Sequence, residues 1–162
     1  MRLARQATAG PGCIPQSLER TSMYQDLLLA TDGSDAAHRA TEQGIELAAQ
    51  LDATLHVLSV SEDGPQAENK QDRLRTDPEE EAATAADEAK EAADREGVDA
   101  TTDIRHGVPQ EQIVDYAETN PVDMVIVGTA GRSGLDHLLS GSVAEEIVRN
   151  APVPVLTVRA QS

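Results

Sequence analysis

Val125-Ile126-Val127-Gly128-Thr129-Ala130-Gly131-Arg132-Ser133-Gly134, closed off by Ser140-Gly141-Ser142-Val143, decides how this chain is read. An apolar run of β type ends in a glycine. A glycine-rich loop follows, and a second Gly-Ser pair opens a helix. Gly128 is followed after two residues by Gly131, and after nine more by Gly141-Ser142. Glycines let a backbone approach a ligand closely, and the N–H groups at a helix N-terminus favour an anion. A strand, a glycine loop and a helix start in that order imply a phosphate site, and therefore a nucleotide.

Working outward, five apolar runs alternate with helical patterns. The first strand is expected at about 25–31. A helix follows Asp32-Gly33, with Ser34 as N-cap, Asp35 in its first turn and Ala37, Ala40, Leu47, Ala48 and Leu51 at helical spacing. The second strand is 55–60. Residues 61–76 are polar, contain Gly64-Pro65 and read as a flexible loop.

Asp77-Pro78-Glu79-Glu80 is a helix start, and an alanine stripe (Ala82, Ala85, Ala86, Ala89, Ala92, Ala93) carries that helix to about Glu96, before Gly97. A third strand over 100–106, a helix over 108–118 with Pro109 near its start, and a fourth strand over 124–128 come next. The last helix spans 142–149, where Ser142 and Glu145 fit a capping box. The fifth strand is 154–159. Strands alternating with helices imply one open parallel sheet covered on both faces. Its ligand edge would carry Thr31-Asp32-Gly33 and the glycine loop side by side.

The core must be aliphatic, because the chain of 162 residues has no Phe or Trp and only Tyr24 and Tyr116. Its net charge is −16, which argues against nucleic acid and anionic membranes as partners. Lys70 and Lys90 are its only lysines. Many carboxylates, few lysines and small aliphatic side chains look like a protein of a high-salt cytoplasm, as in a halophilic archaeon. An ordinary acidic cytoplasmic protein is the plainer alternative. At ~1 M salt the screening length is about 3 Å, so this charge would hardly repel a nucleotide. The single Cys13 fits a reducing compartment, and no apolar stretch reaches the ~20 residues of a membrane helix.

Residues 1–22 lack any helical or strand period. Arg2, Arg5 and Arg20 against Glu19 make them net positive, in contrast to the rest of the chain. They are expected to be a disordered extension from a mis-called start, with Met23 opening a domain over 23–162.

From Met23 to Arg159 the sequence resembles a universal stress protein domain. The resemblance rests on Leu27-Leu28-Leu29-Ala30-Thr31-Asp32-Gly33-Ser34, on the Gly128/Gly131/Gly141-Ser142 spacing, and on Ala151-Pro152-Val153-Pro154-Val155-Leu156-Thr157-Val158. The middle motif matches the ATP-binding branch of the family. What the resemblance implies is an adenine nucleotide alpha hydrolase-like fold of strand order 3-2-1-4-5 and a cytoplasmic stress-response role. It also implies ATP, with Mg²⁺ or Mn²⁺, held between the first strand and the glycine loop. By position, Asp32 would contact the ribose or a bound metal, while Ala30, Thr31 and Val60 would line the adenine pocket. Gly128 would pack near the ribose, and Gly131, Gly141, Ser142 and Val143 would contact phosphates. A homodimer through residues 154–159 is implied as well.

Plainer readings stand beside these. Ser142 is a phosphate contact or only a helix cap, Asp32-Gly33 a ligand contact or only a turn, and Arg132 a phosphate partner or a solvated side chain. His38, His56 and His106 lack metal-ligand spacing. There is no Walker motif, no nucleophile elbow and no general base beside the loop. The chain therefore reads as a nucleotide binder with slow or no turnover, at most a weak ATPase or autokinase. The alternatives are a dimeric interaction protein with an idle site, and a binder of AMP or cyclic AMP.

Overall fold

The computed structural model describes residues 24–62, 77–129 and 141–160. Among them are strands β1 (Asp26–Ala30), β2 (Thr54–Ser61), β3 (Ala100–His106), β4 (Met124–Thr129) and β5 (Val155–Arg159). Helices α1 (Asp35–Leu51), α2 (Pro78–Arg95), α3 (Pro109–Thr119) and α4 (Gly141–Asn150) separate them, so each expected element is present with ends moved by a residue or so. The strands form one parallel sheet in the order β3-β2-β1-β4-β5, as expected.

Leu27, Leu28 and Leu29 of β1 are all fully buried, as the central strand of a sheet covered on both faces requires. Strand alternation splits them. Leu27 and Leu29 join Val57, Ile126 and residues of α1 and α2 in one cluster, and Leu28 joins Leu58, Val125, Val127 and residues of α3 and α4 in the other. With no Phe or Trp to fill space, the helices pack close on small residues. The buried face of α1 is Ala36, Ala37, Ala40, Thr41, Gly44, Ile45 and Ala48. A Cβ on Gly44 would already lie 3.4 Å from the Ile126 Cδ1. In α2 the buried stripe is Ala82, Ala85, Ala86, Ala89 and Ala93, with Ala92 partly buried beside it.

Helix starts follow their side chains. Ser34 Oγ accepts the Ala37 N–H at 3.2 Å, and Asp77 Oδ1 accepts the Glu79 N–H at 2.9 Å, so both expected N-caps are in place. Helix α4 begins at Gly141, one residue before the expected start, and the Ser142 side chain of the expected capping box lies outside the described residues. The Glu145 side chain pairs with Arg149 at 3.2 Å. That pair is an i,i+4 contact on an exposed face, where carboxylate and guanidinium meet with no rearrangement of the helix start. Residues 1–22, the bulk of the polar 61–76 segment and most of the glycine loop lie outside the described residues.

At the N-terminal edge of the sheet, His56 spans three strands. Its Nε2 lies 2.9 Å from Asp26 Oδ1 and its Nδ1 3.1 Å from Thr101 Oγ1. Asp123 Oδ2 accepts the N–H groups of Gln25 and Asp26 at 2.9 and 3.0 Å. These polar groups are thus occupied in holding β1, β2, β3 and the entry to β4 together. Among the described residues no group of His, Cys, Asp and Glu is arranged to hold a metal ion.

Tyr116 lies buried in the second cluster, with the Arg105 guanidinium 4.9 Å from its ring centre. Burial pushes its phenol above the usual value, the Asp103 charge pushes the same way, and Arg105 opposes them. The folded chain therefore holds this proton more tightly than the unfolded chain. The resulting stability is complete below the unfolded-state value near 10 and is lost as pH rises through the folded value. From about pH 9 to about pH 11, the melting temperature of the wild-type chain should fall more steeply than that of Tyr116→Phe. Parallel curves would refute this.

Candidate nucleotide site

The turn between β1 and α1 is built from its own side chains. The Thr31 N–H continues the ladder by donating to the Leu58 carbonyl at 3.0 Å, and Ser59 Oγ donates to the Thr31 carbonyl at 2.9 Å. Thr31 Oγ1 accepts the Gly33 N–H at 3.3 Å, and Asp32 Oδ1 accepts the Ser34 N–H at 2.9 Å. Gly33 has φ +81°, in the left-handed region that a side chain disfavours. The turn reading of Asp32-Gly33 is therefore satisfied, and it uses one carboxylate oxygen of Asp32. Thr31 is buried while Asp32 is exposed, so the turn delivers a carboxylate to the surface at the C-terminal end of β1.

A cleft opens beside this turn. It holds about 370 Å³ of space open to solvent and is lined by Ala30, Thr31, Asp32, Leu58, Val60, Glu62, Pro109 and Ile113. The lining has a simple origin. Leu58, Val60 and Glu62 are alternate positions along and just beyond β2, so they share one face. Pro109 and Ile113 are one helical turn apart on α3. Among the described residues the walls are mainly apolar, the polar side chains are Thr31, Asp32 and Glu62, and none of the lining residues is a lysine or arginine.

Four expected site residues, Ala30, Thr31, Asp32 and Val60, thus meet at one cleft. Leu58, Glu62, Pro109 and Ile113 were not singled out from sequence, although the strand alternation that gives Val60 also gives its neighbours two residues away. Val143 is buried among the α3–α4 packing, and its side chain belongs to the core. Gly141, Ser142 and Val143 form the first turn of α4, where backbone N–H groups have no acceptor within the helix. Gly131 and Arg132 lie outside the described residues.

At Gly128 the structure shows a packing constraint. A Cβ at this position would collide with the carbonyl of Ala36 and lie 3.0 Å from the Ala36 Cβ. The bare Cα faces α1, on the side of the sheet opposite to Val60 and Ile113. The glycine is required because α1 begins directly against β4.

Comparison with known proteins gives the following. The model of the Universal stress protein family matches residues 23–159. Universal stress protein MJ0531 of Methanocaldococcus jannaschii is 34% identical over 142 residues, covering 85% of this chain and 84% of that protein. A universal stress protein solved in complex with cAMP is 26% identical and covers 86% of this chain and all of its own, with a TM-score of 0.66. The structure of MJ0577 from the same archaeon is 27% identical, covers 86% of this chain and 99% of its own, and gives a TM-score of 0.69.

Replacing Gly128 with alanine should lower the unfolding free energy by about 1–3 kcal/mol, the usual cost of overpacking a close contact. Urea denaturation measures it, and an unchanged midpoint would show that α1 is free to move away.

Proposed function

The chain belongs to the universal stress protein family, and from that footing we propose that it binds an adenine nucleotide as a nucleotide-regulated stress-response protein. The ligand is ATP, accompanied by Mg²⁺ or Mn²⁺, with slow or no hydrolysis. The observation that carries the reading is the cleft at the C-terminal edge of β1 and β2. Strand order reverses between β1 and β4, and crevices at such a point receive ligands in open parallel sheets. The cAMP complex of a relative favours an adenine nucleotide in particular.

The residues present fit that ligand. Ala30, Leu58, Val60, Pro109 and Ile113 offer apolar surface to a base, and Asp32 offers an acceptor to ribose hydroxyls. With no ready-made metal cluster among the described residues, a divalent cation would be held chiefly by the phosphates, with Asp32 as the nearest protein ligand. The phosphates fall to Gly131, Arg132 and the first turn of α4 (Gly141, Ser142 and Val143), where several N–H dipoles act together. A single exposed dipole contact contributes only ~0.3–1 kcal/mol. Gly128 serves by letting α1 close on β4, which fixes the turn that carries Asp32. No helix among the described residues is long and apolar enough to cross a membrane. The acidic charge and lone cysteine fit a cytoplasmic protein without nucleic-acid partners.

Protein purified in molar KCl with Mg²⁺ and then denatured should release near-stoichiometric ATP or ADP, identified by mass spectrometry, and Gly131→Val should release none while keeping its helical circular dichroism. Release of AMP or cyclic AMP would redirect the reading to that ligand. Absence of nucleotide, with no binding on titration, would sink it.

A second reading, a dimer whose nucleotide site is idle, is favoured by one feature. β5 lies at an edge of the sheet, and Leu156 on it and Val148 on α4 are exposed to 37% and 54%. An edge strand with bare apolar side chains invites pairing with a second copy. We therefore assign residues 154–159 as a homodimer contact. Leu156→Glu should shift sedimentation from dimer to monomer; a monomeric wild-type chain would remove the assignment.

A further inference from the structure

We infer that Glu62 sets the base specificity of the cleft by accepting a hydrogen bond from an exocyclic amino group, so that the site selects an amino base such as adenine over a keto base such as hypoxanthine. The inference rests on the nucleotide reading of the cleft and adds to it a residue and a criterion of choice.

The placement follows from the sheet. Neighbouring strands lie about 4.8 Å apart, and along the C-terminal edge β2, β1 and β4 are consecutive. Asp32 leaves the edge at β1 and Glu62 at β2. Helix α4 follows β4 and packs against it and α3, and a helix returning from a parallel strand begins at that strand's C-terminal edge. A nucleotide with its phosphates at the start of α4 therefore has its ribose over β1 and its base over β2. There the base meets Val60, Pro109 and Ile113 on its faces and Glu62 at its edge.

Glu62 has the chemistry for this task. It is half-buried at the cleft wall, and among the described residues it has neither a hydrogen-bond nor an ion-pair partner. An ionised carboxylate only accepts hydrogen bonds. Thr31 Oγ1 and one oxygen of Asp32 already accept backbone N–H groups, so among the described lining side chains Glu62 is the acceptor with both oxygens uncommitted to described partners. Adenine presents an amino group at its 6 position and hypoxanthine a carbonyl oxygen. A carboxylate gains a charge-assisted bond to the first and faces an unpaired acceptor in the second.

ATP and ITP carry the same triphosphate, so their affinity ratio isolates the base. In calorimetric titrations with Mg²⁺ at fixed salt, the wild-type chain should bind ATP roughly tenfold or more tightly than ITP, the scale of one hydrogen bond to a charged group at a partly exposed site. Glu62→Gln supplies an amide that both donates and accepts, and should bring the two affinities to within about threefold. Glu62→Ala should weaken ATP and leave ITP unchanged or improved. Thermal melts of both variants should match the wild type, since Glu62 holds no described structural contact. Equal wild-type affinity for ATP and ITP would overturn the inference while leaving the nucleotide reading intact. So would an ATP-to-ITP ratio that neither substitution changes. If the wild-type chain binds neither nucleotide, the inference falls together with the reading beneath it.

Discussion

The start of α1 lies so close against β4 that the strand can carry no side chain where they meet. Gly128 occupies that position, and the Ala36 carbonyl fills the space a Cβ would take. Much of the candidate site depends on this contact. It fixes where α1 begins, and therefore where Ser34 caps it and where Asp32 and Thr31 tie their carboxylate and hydroxyl into the turn. The turn in turn presents Asp32 at the mouth of the cleft. Gly128 thus lets a helix in on the face of the sheet opposite to the cleft.

The same economy of volume runs through the core. Without Phe or Trp, dispersion contacts come from short side chains in close approach rather than from large side chains spanning a gap. Ala36, Ala37, Ala40, Gly44 and Ala48 on α1, and the alanine stripe of α2, bring two helices down onto Leu27, Leu29, Val57 and Ile126. The opposite face uses larger side chains. There α3 and α4 bring Ile113, Tyr116 and Ile147 against Leu28, Leu58, Val125 and Val127. The cleft opens on this face, beyond the C-terminal ends of β1 and β2, where Ile113 passes from core to cleft wall.

Much of this was legible in the sequence, for identifiable reasons. The strand order followed from the family resemblance, and the element positions from unbroken apolar runs such as Leu27-Leu28-Leu29 together with cap residues whose side chains act locally. Ser34 and Asp77 do what their residue types predict because their partners are only two or three residues away. Helix α4 starts one residue earlier than its Ser-x-x-Glu pattern suggests, and Glu145 pairs with Arg149 along the exposed face. Pro109 and Ile113 were invisible as cleft residues because only the packing of α3 against β2 brings them there, a contact far apart in sequence. Glu62 follows directly from Val60 by strand alternation. It lies at the edge of a polar stretch that reads as loop, and a carboxylate in a chain of net charge −16 attracts no notice until its neighbours are known to be apolar.

That charge also clarifies how the two halves of the candidate site divide their work. A triphosphate would be an awkward ligand for an acidic protein, and the described cleft walls supply no cation to offset it. Acceptors there are useful only against the donor-bearing parts of a nucleotide, its ribose hydroxyls and an amino base edge. The anionic part must lie elsewhere, where backbone N–H groups provide positive potential without competing for a carboxylate partner. The start of α4 would be such a place. Local screening by salt and a bound divalent cation would then reduce the long-range repulsion to a minor cost, while Asp32 and Glu62 act at hydrogen-bond range, where screening is weak. Acidic surface and phosphate ligand are therefore compatible so long as the cleft holds the base and ribose and the helix start holds the phosphates.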